Sequence, residues 1–188
     1  MKIYSLNSKN YSIRTLIASE VTQNYVDWLN DPEVNDFLEV KYSTWTLDSC
    51  RDYVDCFTDS ESEYIFGIYD NKSIHIGNGS VSQVNLNTGT FTASLFIGEK
   101  HHWGKSAGME VLLLLFKFGF DNLGLRKCFC GAYSNQLASR FILRKIGAIE
   151  EAKLKDKFLY KGNPVDEVIY GIDLENWMKI KQKHNIEG

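Results

Sequence analysis

TFTASLFIGEKHHWGKSAGMEVLLLLFKFGF, residues 90–120, contains the elements around which the rest of the chain is organised. In its first part, every second residue from Phe91 to Ile97 is apolar, a pattern typical of a β-strand. A segment with two glycines follows, and residues 111–116 are then all apolar, as in a buried helix. This stretch predicts a strand, a glycine-bearing loop and a long helix over residues 104–122.

The loop has the features of an anion-binding site. Gly104 and Gly108 allow the backbone to approach a ligand closely. The helix that follows points its free N–H groups and the positive end of its dipole toward the loop, which favours a phosphate or pyrophosphate. Lys100 and Lys105 would add positive charge. A glycine pair before a helix also occurs in ordinary turns, so the pattern alone leaves a simple turn open.

Composition predicts one folded domain over residues 1–188, because 44% of the residues are hydrophobic and 13% aromatic. A net charge of −3 gives no support for nucleic-acid binding. The N-terminal residues lack the apolar segment of a signal peptide, and residues 112–120 form an apolar run too short to cross a bilayer. We therefore expect a cytoplasmic protein that binds neither nucleic acid nor membrane.

The four cysteines form no C-x-x-C pair. Cys128 and Cys130 are two residues apart in a strand-like run, so they lie on one face. We expect buried free thiols and no metal site.

Hydrophobic periodicity predicts the elements before the central stretch. A strand over residues 11–16 precedes a helical face from Val21 to Leu29, and the chain is expected to break and restart at Pro32. A second helix begins after Thr46, a suitable N-cap. Residues 63–97 contain three β-forming segments separated by turn residues, which predict an antiparallel meander.

The elements after the central stretch follow from the same patterns. Residues 127–133 form a strand, and the helix over 135–147 is ended by its final glycine. A closing hairpin turns at residues 161–164, and residues 174–184 form a short terminal helix.

IGEKHHWGKSAGMEV, residues 97–111, resembles the coenzyme A loop of the GNAT N-acetyltransferases, Q/R-x-x-G-x-G/A. It is most similar to the subgroup that acetylates ribosomal-protein N-termini, amino sugars and similar amines, where the stretch is often IG-x-K-x-x-WGKG-x-G-x-EA. It departs at His101, usually Gln or Arg, and at Ser106, usually Gly. YVDWLNDPEVNDFLE (25–39) and SRFILRKIGAIEEA (139–152) resemble further segments of this subgroup.

The resemblance implies a mixed α/β acyl-CoA N-acyltransferase fold, with a central, mostly antiparallel sheet flanked by helices. It implies acetyl-CoA as cosubstrate, no metal, and a β-bulge near the end of the strand over 90–97 that frees backbone groups for the cofactor. The protein would be a monomer or homodimer. The residues implied in cofactor binding are Phe96, Ile97, Gly98, His102, Trp103, Gly104, Lys105, Ser106, Ala107, Gly108, Asn135, Gln136 and Ser139.

Catalysis in this family proceeds by direct attack of an amine on the thioester. The tyrosine that usually protonates the departing thiolate would lie at Leu143, so the usual acid is missing. Tyr133 is our candidate, although a packing role is also open. Glu99 is a candidate base; a neighbouring histidine, water or an amine that arrives neutral are alternatives. Ser139 would hydrogen-bond the cofactor or cap a helix.

The expected substrate is a small-molecule amine, with an amino sugar linked to a nucleotide as the first candidate, bound by Asp36, Glu39, Trp45 and Asn85. An ordinary solvated loop is the alternative for the segment over 36–45. Other acceptors left open are a protein N-terminus, an antibiotic or a polyamine. A catalytically silent acyl-CoA-binding module is the alternative from another class, and the departures at residues 106 and 143 and the lack of an evident base favour it.

Overall fold

The computed structural model describes residues 2–186. In this part of the chain, eight strands form one sheet and five α-helices flank it. The strands are β1 (Ser5–Asn7), β2 (Tyr11–Thr15), β3 (Tyr64–Asp70), β4 (His75–Asn85), β5 (Thr90–Ile97), β6 (Lys127–Tyr133), β7 (Ile149–Tyr160) and β8 (Asn163–Asp173). The helices are α1 (Gln23–Asn30), α2 (Leu47–Asp55), α3 (Ala107–Lys117), α4 (Leu137–Ile146) and α5 (Leu174–His184).

The strands lie in the order β1-β2-β3-β4-β5-β6-β8-β7, and neighbouring strands are antiparallel except for β5 and β6. These two pair in parallel only over Thr90–Thr92 and Lys127–Phe129. β5 then continues along β4 to Ile97, while β6 continues along β8 to Tyr133. The two strands therefore part, and a cleft opens between their C-terminal halves. The predicted mixed α/β fold with a mostly antiparallel sheet is confirmed.

Helices cover both faces of the sheet. Residues of α3, α4 and α5 share the main core with one face, and Val111–Phe116 of α3 are all buried there, as the apolar run predicts. Helices α1 and α2 enclose a second core on the other face. Thr46 caps α2 through a reciprocal pair of hydrogen bonds with Ser49, and Gly147, at φ +122°, ends α4.

The structure corrects two expectations. Helix α3 begins at Ala107, since Gly104 has a left-handed φ of +70°, and it passes into a π-helical turn at Phe118–Asn122. No helix restarts at Pro32; turns lead to a short 3-10 turn at Glu39–Tyr42. A bulge follows the end of β5, as expected, because the N–H groups of Gly98 and Glu99 both donate to the Ile76 carbonyl, at 2.8 and 3.0 Å.

Before this bulge, the β4–β5 register runs without a shift from Ser82↔Thr92 to Gly77↔Ile97. Backbone groups on the other edge of β5 are free because β6 turns away.

Cys50, Cys128 and Cys130 are buried free thiols, whereas Cys56 is exposed. Within residues 2–186, no helix is long and apolar enough to cross a membrane. The same residues contain no group of three or more His, Cys, Asp and Glu side chains that could hold a metal ion.

The terminal helix α5 is anchored by Trp177, which is only 1% exposed. Its ring stacks on Phe120 at 5.3 Å, and its indole N–H donates to Asp121 Oδ1 at 2.9 Å. Lys181 binds the other oxygen of the same carboxylate at 2.9 Å. The C-terminal helix is therefore fastened to the turn that follows α3.

We expect Trp177→Ala to lower the free energy of unfolding by about 3–5 kcal/mol, because it removes a buried ring and leaves a cavity. Chemical denaturation would measure the change. Met178→Ala is the control, since Met178 is 62% exposed, and its effect should stay within about 0.5 kcal/mol. Equal effects of the two substitutions would contradict this anchoring role.

Candidate functional site

The loop before α3 presents free hydrogen-bond donors. None of the backbone N–H groups from Gly104 to Met109 has an acceptor within residues 2–186. Gly104 is exposed, and a Cβ added to it would meet nothing within 4 Å. The Lys105 side chain is exposed beside it. Donors at a helix N-terminus, together with a nearby cation, suit a phosphate or pyrophosphate.

Glu110 holds this loop in place from beneath. Its carboxylate accepts hydrogen bonds from Ser106 Oγ (2.6 Å), Ser8 Oγ (2.7 Å), Asn10 N (3.1 Å) and Asn10 Nδ2 (2.8 Å). Burial opposes ionisation, but these donors outweigh it and keep the pKa of Glu110 below its ordinary value. Ser106, where the resembled motif has glycine, therefore has its hydroxyl turned to Glu110.

Two residues near the loop are engaged elsewhere. Lys100 forms ion pairs with Asp31, at 2.7 Å, and with Glu33, so it does not supply the expected charge to the loop. His102 is buried, with its Nδ1 3.2 Å from the Tyr11 hydroxyl and its Nε2 3.9 Å from Asp70. Burial lowers the pKa of His102, and its side chain does not face the loop's free N–H groups.

One edge of the cleft is formed by Phe96, Ile97 and Gly98. The Ile97 carbonyl accepts a hydrogen bond from Trp103 Nε1 at 2.8 Å, and Gly98 N donates to the Ile76 carbonyl at 2.8 Å. A Cβ at Gly98 would lie 2.1 Å from the ring of Trp28. This close approach explains why a glycine ends the strand here.

The other edge of the cleft ends at Tyr133. Its hydroxyl donates to the Glu39 carboxylate, and its ring stacks on Phe158 at 4.2 Å. Burial, followed by the Glu39 carboxylate, raises the pKa of Tyr133, so this phenol keeps its proton at neutral pH.

The chain then enters α4, where Asn135 is exposed and Gln136 and Ser139 are half-buried. Leu143 is 3% exposed and lies in the main core, so the position of the family's usual acid is a packing position here.

A cavity of about 180 Å³ lies between the sheet and helices α1 and α2. We call it the α1–α2 pocket. Its floor contains the polar side chains of Asn78, Ser80 and Ser94, and Glu39 lies on the side next to Tyr133. Its aromatic walls are Tyr25, Trp45, Tyr53 and Phe96.

The structure brings some of the predicted residues together. Glu39, Trp45 and Phe96 line the α1–α2 pocket, and Trp45 Nε1 is held by the Val40 carbonyl at 3.1 Å. Asp36 lies at the neighbouring β7–β8 hairpin, where it accepts a hydrogen bond from the Tyr160 hydroxyl at 2.8 Å.

Two predicted residues do not reach the pocket. Asn85 lies in the turn at the far end of β4, where its Oδ1 accepts hydrogen bonds from Asn87 N and Thr88 N at 3.0 and 3.1 Å. Glu99 binds Trp28 Nε1 at 3.3 Å and His101 at 3.2 Å, and it is not a lining residue. We leave both out of the proposed site.

Sequence analysis missed the polar floor. Asn78 pairs with Phe96 and Ser80 pairs with Ser94, so all four side chains lie on one face of the sheet. The alternation within each strand was visible in the sequence. Which residue of β4 lies opposite which residue of β5 depends on the strand register, which the sequence does not show.

A family model described as "Acetyltransferase (GNAT) domain" matches residues 12–149. The chain belongs to the GNAT family of acetyltransferases. It is thus an acetyl-CoA-dependent acyltransferase, and the GNAT fold binds acetyl-CoA or CoA. The free N–H groups before α3 and the open cleft beside β5 fit such a ligand.

Solved GNAT structures have the same fold. An acetyltransferase of the GNAT family from Bacillus anthracis has a TM-score of 0.77 at 16% identity, covering 92% of this chain and 99% of its own. Spermidine N-acetyltransferase from Vibrio cholerae, in complex with CoA and spermine, has a TM-score of 0.81 at 15% identity, covering 91% and 99%. Ribosomal-protein-S5-alanine acetyltransferase from Vibrio fischeri has a TM-score of 0.79 at 15% identity, covering 93% and 98%. These identities indicate a shared fold and leave the acceptor open.

We expect Gly104→Val to weaken acetyl-CoA binding about tenfold or more, since a β-branched residue cannot hold φ near +70° without strain and the donors would shift. Titration calorimetry would measure the affinity.

Gly124→Val is the matched control. Gly124 has a φ of +67°, and a Cβ there would also meet nothing within 4 Å, so the backbone strain is similar but lies outside the loop. Unchanged affinity in Gly104→Val, or an equal loss in both variants, would contradict the assignment of the loop.

Proposed function

We propose that this GNAT enzyme transfers an acetyl group from acetyl-CoA to the primary amine of a small hydroxylated molecule. An amino sugar linked to a nucleotide is our first candidate. The main support is the Tyr133–Glu39 hydrogen bond, which lies where the cleft between β5 and β6 adjoins the α1–α2 pocket. One side of this pair faces the expected cofactor path, and the other faces the α1–α2 pocket.

Two regions of the protein would bind the cofactor. The N–H groups from Gly104 to Met109, with Lys105, would hold the pyrophosphate. The edge of β5 at Phe96 and Ile97 that faces away from β4 would hold the pantetheine arm, because no strand pairs with it there. The Ile97 carbonyl is already bonded to Trp103 Nε1. Asn135, Gln136 and Ser139 lie at the start of α4 on the opposite side of the cleft and would supply further polar contacts.

The reaction needs two proton transfers. The amine nitrogen attacks the thioester carbonyl carbon, the C–N bond forms, and the C–S bond breaks. Glu39 would accept the proton lost by the amine, and Tyr133 would give its proton to the departing thiolate. The Tyr133 phenolate then recovers a proton from Glu39 along their hydrogen bond, so both groups return to their starting states.

The α1–α2 pocket favours a single amine with neutral polar substituents. Among its lining residues, Glu39 alone carries a carboxylate, and the other polar side chains are uncharged: Asn78, Ser80, Ser94, Tyr25, Tyr53 and Trp45. Hydroxyl groups can hydrogen-bond to such side chains without the need for further charges. This composition supports an amino sugar.

A polyamine is the second candidate. The Lys41 ammonium lies 5.2 Å from the ring centre of Tyr133, 5.3 Å from that of Tyr42 and 5.9 Å from that of Tyr160. This surface already accommodates one ammonium group over aromatic rings. Asp36 and Glu39 nearby would add two carboxylates for a polycation.

The function can be tested by following thiol release from acetyl-CoA with a nucleotide-linked amino sugar, with spermidine and without amine. We expect amine-dependent release that is faster with the amino sugar. Faster release with spermidine would favour the polyamine. Binding of acetyl-CoA without release on any amine would indicate a silent binding module, and no binding at all would overturn the proposal.

We expect Tyr133→Phe to lower kcat by about 100-fold or more, because the variant lacks the proton for the thiolate. The KM for acetyl-CoA should change little, since the ring and its stacking on Phe158 remain. Steady-state kinetics would separate the two effects. Tyr64→Phe, which removes a hydroxyl bound to the Glu61 carbonyl at the start of β3, is the control. A Tyr133→Phe enzyme at full rate would exclude this acid.

A further inference from the structure

A second cavity adjoins the Tyr133–Glu39 pair. It lies between the 3-10 turn Glu39–Tyr42 and the β7–β8 hairpin, and its volume is about 360 Å³. We call it the hairpin groove; its lining residues are Asp36, Lys41, Tyr42, Leu159, Lys161 and Gly162. The same 3-10 turn contributes Glu39 and Val40 to the α1–α2 pocket. A substrate with two parts can therefore lie across this turn and occupy both cavities.

Lys41 is a half-buried cation in this groove without an anionic partner. Its ammonium donates to the Asp36 carbonyl at 2.8 Å, and within residues 2–186 it has no other hydrogen bond and no ion pair. The ring centres of Tyr133 and Tyr42 lie 5.2 and 5.3 Å away, so the ammonium is held beside the proposed acid. An ammonium has three N–H donors, and two of these are left for a ligand.

Lys161 supplies a second cation from the opposite wall. Its side chain is 69% exposed, and its ammonium lies 4.9 Å from the ring centre of Tyr160. Asp36 Oδ1 is 3.9 Å away, beyond hydrogen-bond distance, and Oδ2 of that carboxylate accepts a hydrogen bond from the Tyr160 hydroxyl. The groove thus has two ammonium groups against one carboxylate, which favours an anion that reaches both lysines, as a diphosphate does.

Tyr42 presents a flat apolar surface at the same groove. The residue is 65% exposed, yet its hydroxyl donates to the Leu159 carbonyl at 3.2 Å and fixes the ring against the hairpin. An exposed aromatic ring that is held in one position can stack on a nucleobase. Two cations beside such a ring are suited to the phosphates and the base of a nucleotide.

We propose that the hairpin groove binds the nucleoside diphosphate of a nucleotide-linked amino sugar. Lys41 and Lys161 would bind the phosphates, and the Tyr42 ring would stack on the base. The sugar then lies toward Glu39 and the α1–α2 pocket. The inference rests on the proposed function and deepens it, because it assigns a site to the part of the substrate that does not react. It also separates the two candidate acceptors, since two further cations would repel a polyamine.

The first test measures the binding of UDP by titration calorimetry. Saturating coenzyme A is present, so that the loop before α3 is already filled. We expect UDP to bind this complex about tenfold or more tightly than uridine, which has no phosphates. Lys41→Gln and Lys161→Gln should each weaken UDP binding about tenfold, since each removes one charge-assisted contact to phosphate.

Lys157→Gln is the matched control, because it removes an exposed lysine of the same hairpin that does not line the groove. It should change the UDP affinity by about twofold or less, since exposed charges outside the contact are screened. Failure of UDP to bind, native affinity in Lys41→Gln and Lys161→Gln, or an equal loss in Lys157→Gln overturns the proposal.

Tyr42→Ala tests the place of the base. It should weaken UDP binding about fivefold or more and leave the binding of inorganic pyrophosphate unchanged, because pyrophosphate has no base to stack. Native affinity for UDP in Tyr42→Ala, or an equal loss for UDP and pyrophosphate, overturns the stacking contact.

The second test is kinetic and compares UDP-glucosamine with glucosamine, which carry the same amine. We expect the native enzyme to prefer the nucleotide-linked amine by about 100-fold in kcat/KM, and Lys161→Gln to reduce this preference about tenfold through the KM for the amine. Equal kcat/KM values for both amines in the native enzyme would leave the acetyltransferase function intact and overturn the groove. If neither amine is acetylated, the proposed function fails for these substrates, whereas UDP binding that depends on Lys41 and Lys161 still supports the groove.

Discussion

The geometry of this protein depends on how little of β5 pairs with β6. The parallel contact spans Thr90–Thr92 on one strand and Lys127–Phe129 on the other. Beyond it, the ladders to β4 and β8 hold the two strands apart. Hydrogen bonds that would close the sheet are never made, and the unpaired edge of β5 is left for a ligand. The main-chain separation, and not any one side chain, creates the cofactor cleft.

The two sides of this cleft have different chemical roles. On the β5 side, backbone donors and a glycine-rich turn can bind anionic and amide groups of coenzyme A. On the β6 side, the Tyr133 phenol is held by Glu39 from the segment between α1 and α2. The proposed acid and base thus come from parts of the chain 94 residues apart. Their hydrogen bond also connects the segment between α1 and α2 to the end of β6, beside the α1–α2 pocket.

Local patterns predicted most of the fold. The alternation in β5, the apolar run of α3, the Thr46 cap and the glycine after α4 are all short-range features, and each lies where expected. The glycine loop was also predicted, because its chemistry is contained in a few adjacent residues.

The features that sequence analysis misplaced or missed depend on contacts between distant parts of the chain. Tyr133 and Glu39 were named separately, but no pattern in sequence places one beside the other. The floor of the α1–α2 pocket was missed because it requires the β4–β5 register. His102 and Lys100 were expected near the cofactor because they adjoin the loop in sequence, yet Lys100 is bound to the turn after α1 and His102 contacts side chains of β2 and β3.

The Glu110 carboxylate joins the loop before α3 to the β1–β2 turn through Ser8 and Asn10. These partners are 102 and 100 residues from Glu110 in the chain. Contacts with such large sequence separation form slowly, because a long segment must first lose its freedom. During synthesis the N-terminal hairpin leaves the ribosome long before α3 does, and the cofactor loop acquires its final position only when the two meet. The conformation of this loop therefore depends on a contact between distant parts of the chain, which the loop and α3 cannot form by themselves.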